Sequence, residues 1–273
     1  MSVIRVNNIT NRDGSAGPTI AGIGSVNSTS HMVVPTGRTG TRYADEGENI
    51  VRDGLVLYLD AKHSYPSKIG IGTTTSGVVN TNSLSSTDPD VYTWYDMSGN
   101  GNDGTLIGGV GYASSLGGSL VFDGVDDYVS MGPSIQPSNI TVSIWFNANS
   151  VSNNFSLVRW RAYGYELKIG NPGVVYGNTW ISDSSNPTIN TTDNYISTGQ
   201  IYNAVLTCGN GKIALYINNI LIGSKDLSDD SIHYSFDGLG LAIGRDGGYS
   251  GTYFNGKIYQ TLIYNRALSA AEV

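Results

Sequence analysis

The stretch Tyr202-Asn-Ala-Val-Leu-Thr-Cys-Gly-Asn-Gly-Lys-Ile-Ala-Leu-Tyr-Ile-Asn-Asn-Ile-Leu-Ile-Gly-Ser224 decides the fold. Two apolar runs, from Tyr202 to Cys208 and from Lys212 to Ile217, flank Gly209-Asn210-Gly211. An Asn-Gly pair accepts the positive φ angles that a tight hairpin turn requires. A third run starts at Ile220, so a second hairpin is predicted to turn at Asn218-Asn219. Upstream, Ile140-Thr-Val-Ser-Ile-Trp-Phe146 alternates, with Ile140, Val142, Ile144 and Phe146 on one face and Thr141, Ser143 and Trp145 on the other. That is the period of a half-buried strand. Further strands are predicted from Gly54 to Asp60, from Leu239 to Gly244 and from Lys257 to Tyr264. Only Ser269-Ala-Ala-Glu272 looks helical, as a capping box one residue before the sequence ends.

Composition agrees with strands and turns. The 273 residues include 36 Gly and 18 Tyr but only four Glu (Glu46, Glu48, Glu166, Glu272), whereas a helical protein needs many Ala, Glu, Lys and Leu. Many short strands without helical runs predict an all-β, antiparallel two-sheet sandwich. The formal charge of −7 and the lack of a basic cluster exclude a nucleic-acid binder. No apolar run is long enough to span a bilayer, and the first residues lack the apolar stretch of a secretory signal. The single cysteine, Cys208, excludes an intrachain disulfide and suits a buried strand position.

Two regions stand apart. Met1 to Asp53 holds few large apolar residues and is either a disordered tail or an arm that orders against a partner, for example by adding a strand to a neighbour's sheet. Lys62 to about Val91, rich in Gly, Thr and Ser, is expected to be an excursion from the sandwich that occupies Gly54 to Val273.

Trp94-Tyr-Asp-Met-Ser-Gly-Asn-Gly-Asn-Asp-Gly-Thr-Leu106, Gly118-Ser-Leu-Val-Phe-Asp-Gly-Val-Asp-Asp-Tyr-Val129, the hairpin from Gly211 to Gly223 and the stretch from Phe254 to Glu272 resemble, in family order, laminin-G-like, concanavalin-A-like jelly rolls. Two departures stand out. Ile201-Tyr-Asn203 replaces a frequent Trp-x-His, and Tyr259-Gln260 replaces an acidic pair. More narrowly, Leu57-Tyr-Leu-Asp-Ala61, Ser64-Tyr-Pro66, Thr93-Trp-Tyr-Asp-Met-Ser-Gly-Asn-Gly101, the opening Ser2 to Gly14 and Val33 to Arg42 resemble structural proteins of tailed bacteriophages, notably cyanophages. That resemblance implies a virion protein, assembled in the host cytoplasm and released by lysis. Its arm would dock to other virion proteins, and its sandwich would face outward as a decoration or a fibre-type, host-recognition head. A homo-oligomer is expected on a symmetric particle. The alternative is a carbohydrate-binding module or adhesin outside any virion.

No catalytic residues are expected. Glycoside hydrolysis needs two carboxyl groups flanking one bond, and Glu166 is the only Glu in the predicted sheets. The histidines His31, His63 and His233 are scattered, which argues against zinc. Two acidic loops offer hard oxygen ligands for calcium: Asp96, Asn100, Asn102 and Asp103 in one, and Asp123, Asp126 and Asp127 in the other. The competing role of such residues is to bond their own backbone in turns. For a glycan, Tyr176, Trp180, Tyr249 and Tyr253 are the candidate platforms, with Tyr163 and Tyr165 nearby. Asn171 to Gln200 is expected to be a long functional loop. Core packing competes for every one of these rings. The basic run Leu157-Val-Arg-Trp-Arg161 fits a solvated face flanking a buried Trp160, or a site for acidic sugars.

Overall fold

The computed structural model describes residues 50–62, 93–161, 163–181, 185–229, 231–235, 240–246 and 252–273. Nearly all of the expected arm, and all of the excursion beyond Lys62, lie outside them. The first sheet contains β1 (Leu55–Asp60), β4 (Gly111–Ala113), β5 (Ser119–Asp123), β7 (Ile140–Ala148), β12 (Ile201–Gly209), β13 (Lys212–Ile217), β14 (Ile220–Asp226) and β16 (Asn255–Tyr264). Their order is β14-β13-β12-β7-β16-β5-β4, with β1 paired along β16. The second sheet contains β2 (Thr93–Trp94), β3 (Gly104–Ile107), β6 (Tyr128–Gly132), β8 (Phe155–Trp160), β9 (Tyr165–Gly170), β10 (Val174–Thr179), β11 (Thr188–Asn190) and β15 (Leu241–Ile243). Its order is β11-β10-β9-β8-β15-β6-β3-β2. The two sheets form a sandwich in which the pairings between these strands are all antiparallel.

Local chemistry explains the turns. The β12–β13 hairpin closes with Gly209 opposite Lys212, leaving Asn210 and Gly211 at φ +56° and +70°. In the β13–β14 hairpin Asn218 and Asn219 adopt φ +49° and +63°, and Ile217 faces Ile220. Both are the two-residue, doubly positive turns that match strand twist.

Alternation then builds the core. On β7, Ile140, Val142, Ile144 and Phe146 are fully buried, whereas Trp145 is exposed. Between the sheets, Phe254 meets Phe122 of β5, Phe146 of β7 and Phe155 of β8, with ring centroids 6.0, 6.3 and 6.5 Å away in edge-to-face geometry. That arrangement lets the positive ring edges meet the negative faces. The layers approach so closely at Gly177 that a Cβ there would fall 2.6 Å from Leu206 Cδ1 of the opposite sheet. Cys208 lies in this core.

Three sequence expectations are corrected. Asn171 to Gln200 is not one long loop, because β10 and β11 lie within it. The strand expected from Leu239 to Gly244 is confined to Leu241–Ile243 among the described residues. Ser269 to Glu272 forms a turn rather than a helix. Ser269 N and Oγ both donate to Glu272 Oε2 at 2.9 Å, and Arg266 holds the same carboxylate at 2.7 and 3.1 Å.

One side of the sandwich is closed by a polar knot. Among the described residues β1 pairs as a strand only with β16, which turns its other edge towards the Asp96 loop. The Asp96 loop covers that edge. Tyr58 N donates to Asp96 Oδ1 at 2.9 Å, Met97 N donates to Tyr58 O at 2.8 Å, and Asn102 Nδ2 donates to Val56 O at 2.8 Å. A covered edge cannot recruit a foreign strand.

Candidate functional site

The face of the second sheet that points away from the core is built by β8, β9 and β10. Along β10, Val175 joins the core while Tyr176 and Asn178 point the other way, and Trp180 continues their row. Trp180 N donates to Gly164 O at 2.8 Å, which extends the ladder one step past the strand. Register places Tyr176 opposite Lys168 and Asn178 opposite Glu166 on β9. Glu166 in turn faces Arg159 on β8, where the register shifts between Ser156 and Val158. Such a bulge adds one residue to a strand and breaks its period of two. Ser156 and Arg159, three apart, therefore both reach Glu166.

Glu166 is 1% exposed, an unusual position for a carboxylate. It receives Ser156 Oγ at 2.6 Å and Arg159 Nη1 at 2.9 Å on Oε1, and Asn178 Nδ2 at 2.9 Å on Oε2. Lys168 Nζ lies 3.7 Å from Oε2. Burial by itself would raise its pKa. The charges of Arg159 and Lys168 and the two neutral donors outweigh that cost and hold the carboxyl below the ordinary glutamate range. Asp246 Oδ1 holds the same Arg159 nitrogen at 3.1 Å.

The cations of this network also cover the rings. The Arg159 guanidinium lies 5.8 Å from the Trp180 ring centre and Lys168 Nζ lies 5.3 Å from that of Tyr176. Both rings are half-buried. Thr188 and Asn190 of β11, opposite Asn178 and Tyr176, are exposed beside them. The arrangement offers two aromatic surfaces on one strand, each next to a cation fixed by a buried carboxylate.

The other expected site residues divide among three places. Tyr253 lies with Tyr128, ring centres 6.3 Å apart, and the Arg245 guanidinium is 4.6 Å from Tyr128 and 5.8 Å from Tyr253. Tyr249 lies outside the described residues. Asp96 is fully buried, and its carboxylate accepts from Tyr58 N, Ser98 N, Ser98 Oγ and Asn102 N at 2.8–3.0 Å. Asn102 Oδ1 accepts from Ser134 Oγ, and Asp103 Oδ1 accepts from Asp96 N. These three residues therefore bond both within their own loop and to β1 and Ser134. Asp123, Asp126 and Asp127 come together at the β5–β6 loop, and burial there pushes the Asp127 carboxyl up to about 6.

The sequence offers no evident carboxylate partner for Glu166, and it leaves Arg159 between a solvated face and a site for acidic sugars. The available signal was the pair Glu166-x-Lys168 and Tyr176-x-Asn178-x-Trp180 about the turn at Asn171 to Gly173. Among the rings it named, Tyr165 belongs to the core, stacked edge-on to Tyr234 at 6.2 Å. Tyr163 packs against His233 at 5.7 Å.

A family model described as the concanavalin A-like lectin/glucanases superfamily matches residues 123–273. Among solved structures, the botulinum neurotoxin serotype D binding domain superposes with a TM-score of 0.56 at 15% identity, covering 81% of this chain and 51% of that one. Domain 4 of AbnA, an extracellular arabinanase from Geobacillus stearothermophilus in complex with arabinotriose, gives 0.54 at 17% identity, covering 80% and 95%. The binding domain of Paraclostridial Mosquitocidal Protein 1 gives 0.55 at 18%, covering 81% and 51%. The chain thus spans about half the length of the toxin binding domains. At these identities the likeness is one of fold. No curated protein matches the chain.

Proposed function

The chain belongs to the concanavalin A-like lectin/glucanase superfamily, and from that premise we propose that it is a glycan-binding module whose binding surface is the outer face of β8, β9 and β10. One observation carries this reading: Tyr176 and Trp180 lie on the same side of one strand, each flanked by a cation that Glu166 anchors. Sugar rings present C–H faces that pack on aromatic surfaces, and their hydroxyls take hydrogen bonds from placed polar groups. Lys168, Thr188 and Asn190 supply such groups. Arabinotriose in the AbnA domain and the binding domains of the toxins support a binding role for a sandwich of this kind.

Binding without hydrolysis is part of the proposal. The Glu166 carboxylate is committed to Arg159, Ser156 and Asn178, which supports a positioning role over that of an acid or nucleophile. A glycan array followed by calorimetry on the best ligand tests the reading. Trp180→Ala and Tyr176→Ala should each weaken binding about tenfold, equivalent to about 1.4 kcal/mol. Unchanged affinity in both variants, or no saturable glycan, would remove it.

We further propose that the module is carried on a virion of a tailed phage, with the segment from Met1 to Asp53 joining it to other virion proteins. The phage-like stretches Leu57 to Ala61 and Thr93 to Gly101 support this reading, and they lie together in the knot on β1. Mass spectrometry of purified particles should find the chain; its absence would refute this placement and leave the glycan reading untouched.

A further inference from the structure

The second sheet carries another aromatic group, on the opposite side of β8 from Tyr176 and Trp180. Tyr128 opens β6, and because Val129 enters the core, Tyr128 points outward. Tyr253 lies against it, with ring centres 6.3 Å apart and planes tilted by 41°. The Arg245 guanidinium covers both rings, 4.6 Å from the centre of Tyr128 and 5.8 Å from that of Tyr253. In the sheet order β6 lies four strand steps from β10, about 19 Å across the sheet. The two aromatic groups are therefore separate places on the protein.

Backbone bonds fix the cation over its rings. Arg245 follows β15 and forms an antiparallel bridge with Tyr253. Asp246 N donates to Thr252 O at 3.1 Å, and Phe254 N donates to Gly244 O at 2.8 Å. Gly244 N donates to Leu157 O of β8 at 2.9 Å. The residues on either side of Tyr253 are thus tied to those on either side of Arg245, and Phe254 anchors the segment in the core.

The charge so placed lacks a counterpart. On the neighbouring strands Arg159 meets Glu166 and Asp246, and Lys168 meets Glu166. Asp246, next in the chain to Arg245, is turned away to Arg159. Among the described residues no carboxylate pairs with Arg245 and no acceptor takes its N–H groups. Its Nε is buried without a hydrogen-bond partner, whereas its two terminal nitrogens are not buried. The tyrosine rings attract the charge but do not supply the oxygens that a guanidinium fork takes. A buried donor without an acceptor is costly, so the site gains when an oxyanion arrives.

Its surroundings narrow the choice of anion. The fork matches the two coplanar oxygens of a carboxylate. Asp126 and Asp127 immediately precede Tyr128, so a doubly charged phosphate is repelled more strongly than a singly charged carboxylate. Tyr128 and Tyr253 are half-buried, which leaves ring surface beside the cation for the C–H face of a sugar. We infer that Arg245, Tyr128 and Tyr253 form a subsite for the carboxylate of a sugar acid, distinct from the Tyr176–Trp180 face.

Sodium glucuronate, titrated at constant ionic strength into the nitrogen-15-labelled full chain, provides the test. The nuclear magnetic resonance signals to follow are Arg245 Nε–Hε and the backbone amides of Tyr128 and Tyr253. Glucuronate should shift all three saturably, and glucose at the same concentrations should not. Arg245→Lys keeps a cation over the rings without the fork and should weaken the response of the two amides about tenfold. Trp180→Ala should leave the titration unchanged, so failure of the Tyr176–Trp180 reading and failure of this one are separate results. No saturable shift with glucuronate, an equal response to glucose, or full binding in a folded Arg245→Lys protein would overturn the inference. Tighter binding of inorganic phosphate, or of a triglutamate peptide, would overturn the assignment to a sugar acid.

Discussion

Arg159 and Glu166 face each other across the β8–β9 ladder, with Nη1 2.9 Å from Oε1, and the rest of the outer face is arranged around that pair. Arg159 side-chain exposure is 15% and that of Glu166 is 1%, so neither charge is well solvated. Removing Arg159 leaves the buried Glu166 carboxylate with Lys168 at 3.7 Å and two neutral donors in place of its closest charge. Arg159→Met should destabilise the domain by about 3–5 kcal/mol, whereas the double variant Arg159→Met/Glu166→Gln should recover much of that loss. Denaturant midpoints of the four proteins in the cycle measure it.

Acid should weaken the same pair. Glu166 is held below its ordinary value of 4.5 in the folded chain. Its contribution is therefore fully present above the unfolded value and is lost as pH falls through the lower folded value. Melting temperatures recorded from pH 6 to pH 2.5 should fall more steeply below pH 4.5 for the unaltered chain than for Glu166→Gln. Parallel curves would show that the carboxylate does not contribute.

The two rings should read ligand length. Trp180 lies four positions after Tyr176, on the order of 13 Å along an extended strand. Affinity should rise with oligosaccharide length until a chain covers both rings, then level off. Trp180→Ala should shorten the length at which that plateau appears. Calorimetry on a series from disaccharide to hexasaccharide gives the comparison.

Phe254 bridges β5, β7 and β8, and it is fully buried. Phe254→Ala should cost about 3–5 kcal/mol through lost burial and the cavity left behind. Gly177→Ala should cost about 1–3 kcal/mol by overpacking against Leu206. Equilibrium unfolding measures both.

The sandwich was legible in the sequence wherever one face of a strand is apolar. Ile140 to Phe146 alternates because Ile140, Val142, Ile144 and Phe146 all enter the core. The Asn-Gly and Asn-Asn turns declared themselves because few residues other than Gly and Asn accept positive φ readily. The outer face was harder to see. On β10 the inward positions include Gly177, so no hydrophobic alternation marks the strand and the stretch reads as a loop. On β8 the bulge after Ser156 shifts the period, so Ser156 and Arg159 seem to face opposite ways. The Asp96 knot depends on Tyr58, 38 residues earlier, and spacing alone does not reveal such a partner.

That knot has one more consequence. It fastens β1 to the Trp94–Asp103 loop directly, through Tyr58, Val56 and Asp96. Residues 63–92 leave and return between two points already held together. The closure entropy of a connection grows only slowly with its length. The register of β1 against the Trp94–Asp103 loop is therefore set by contacts at the two ends of that connection, close to Lys62 and Thr93.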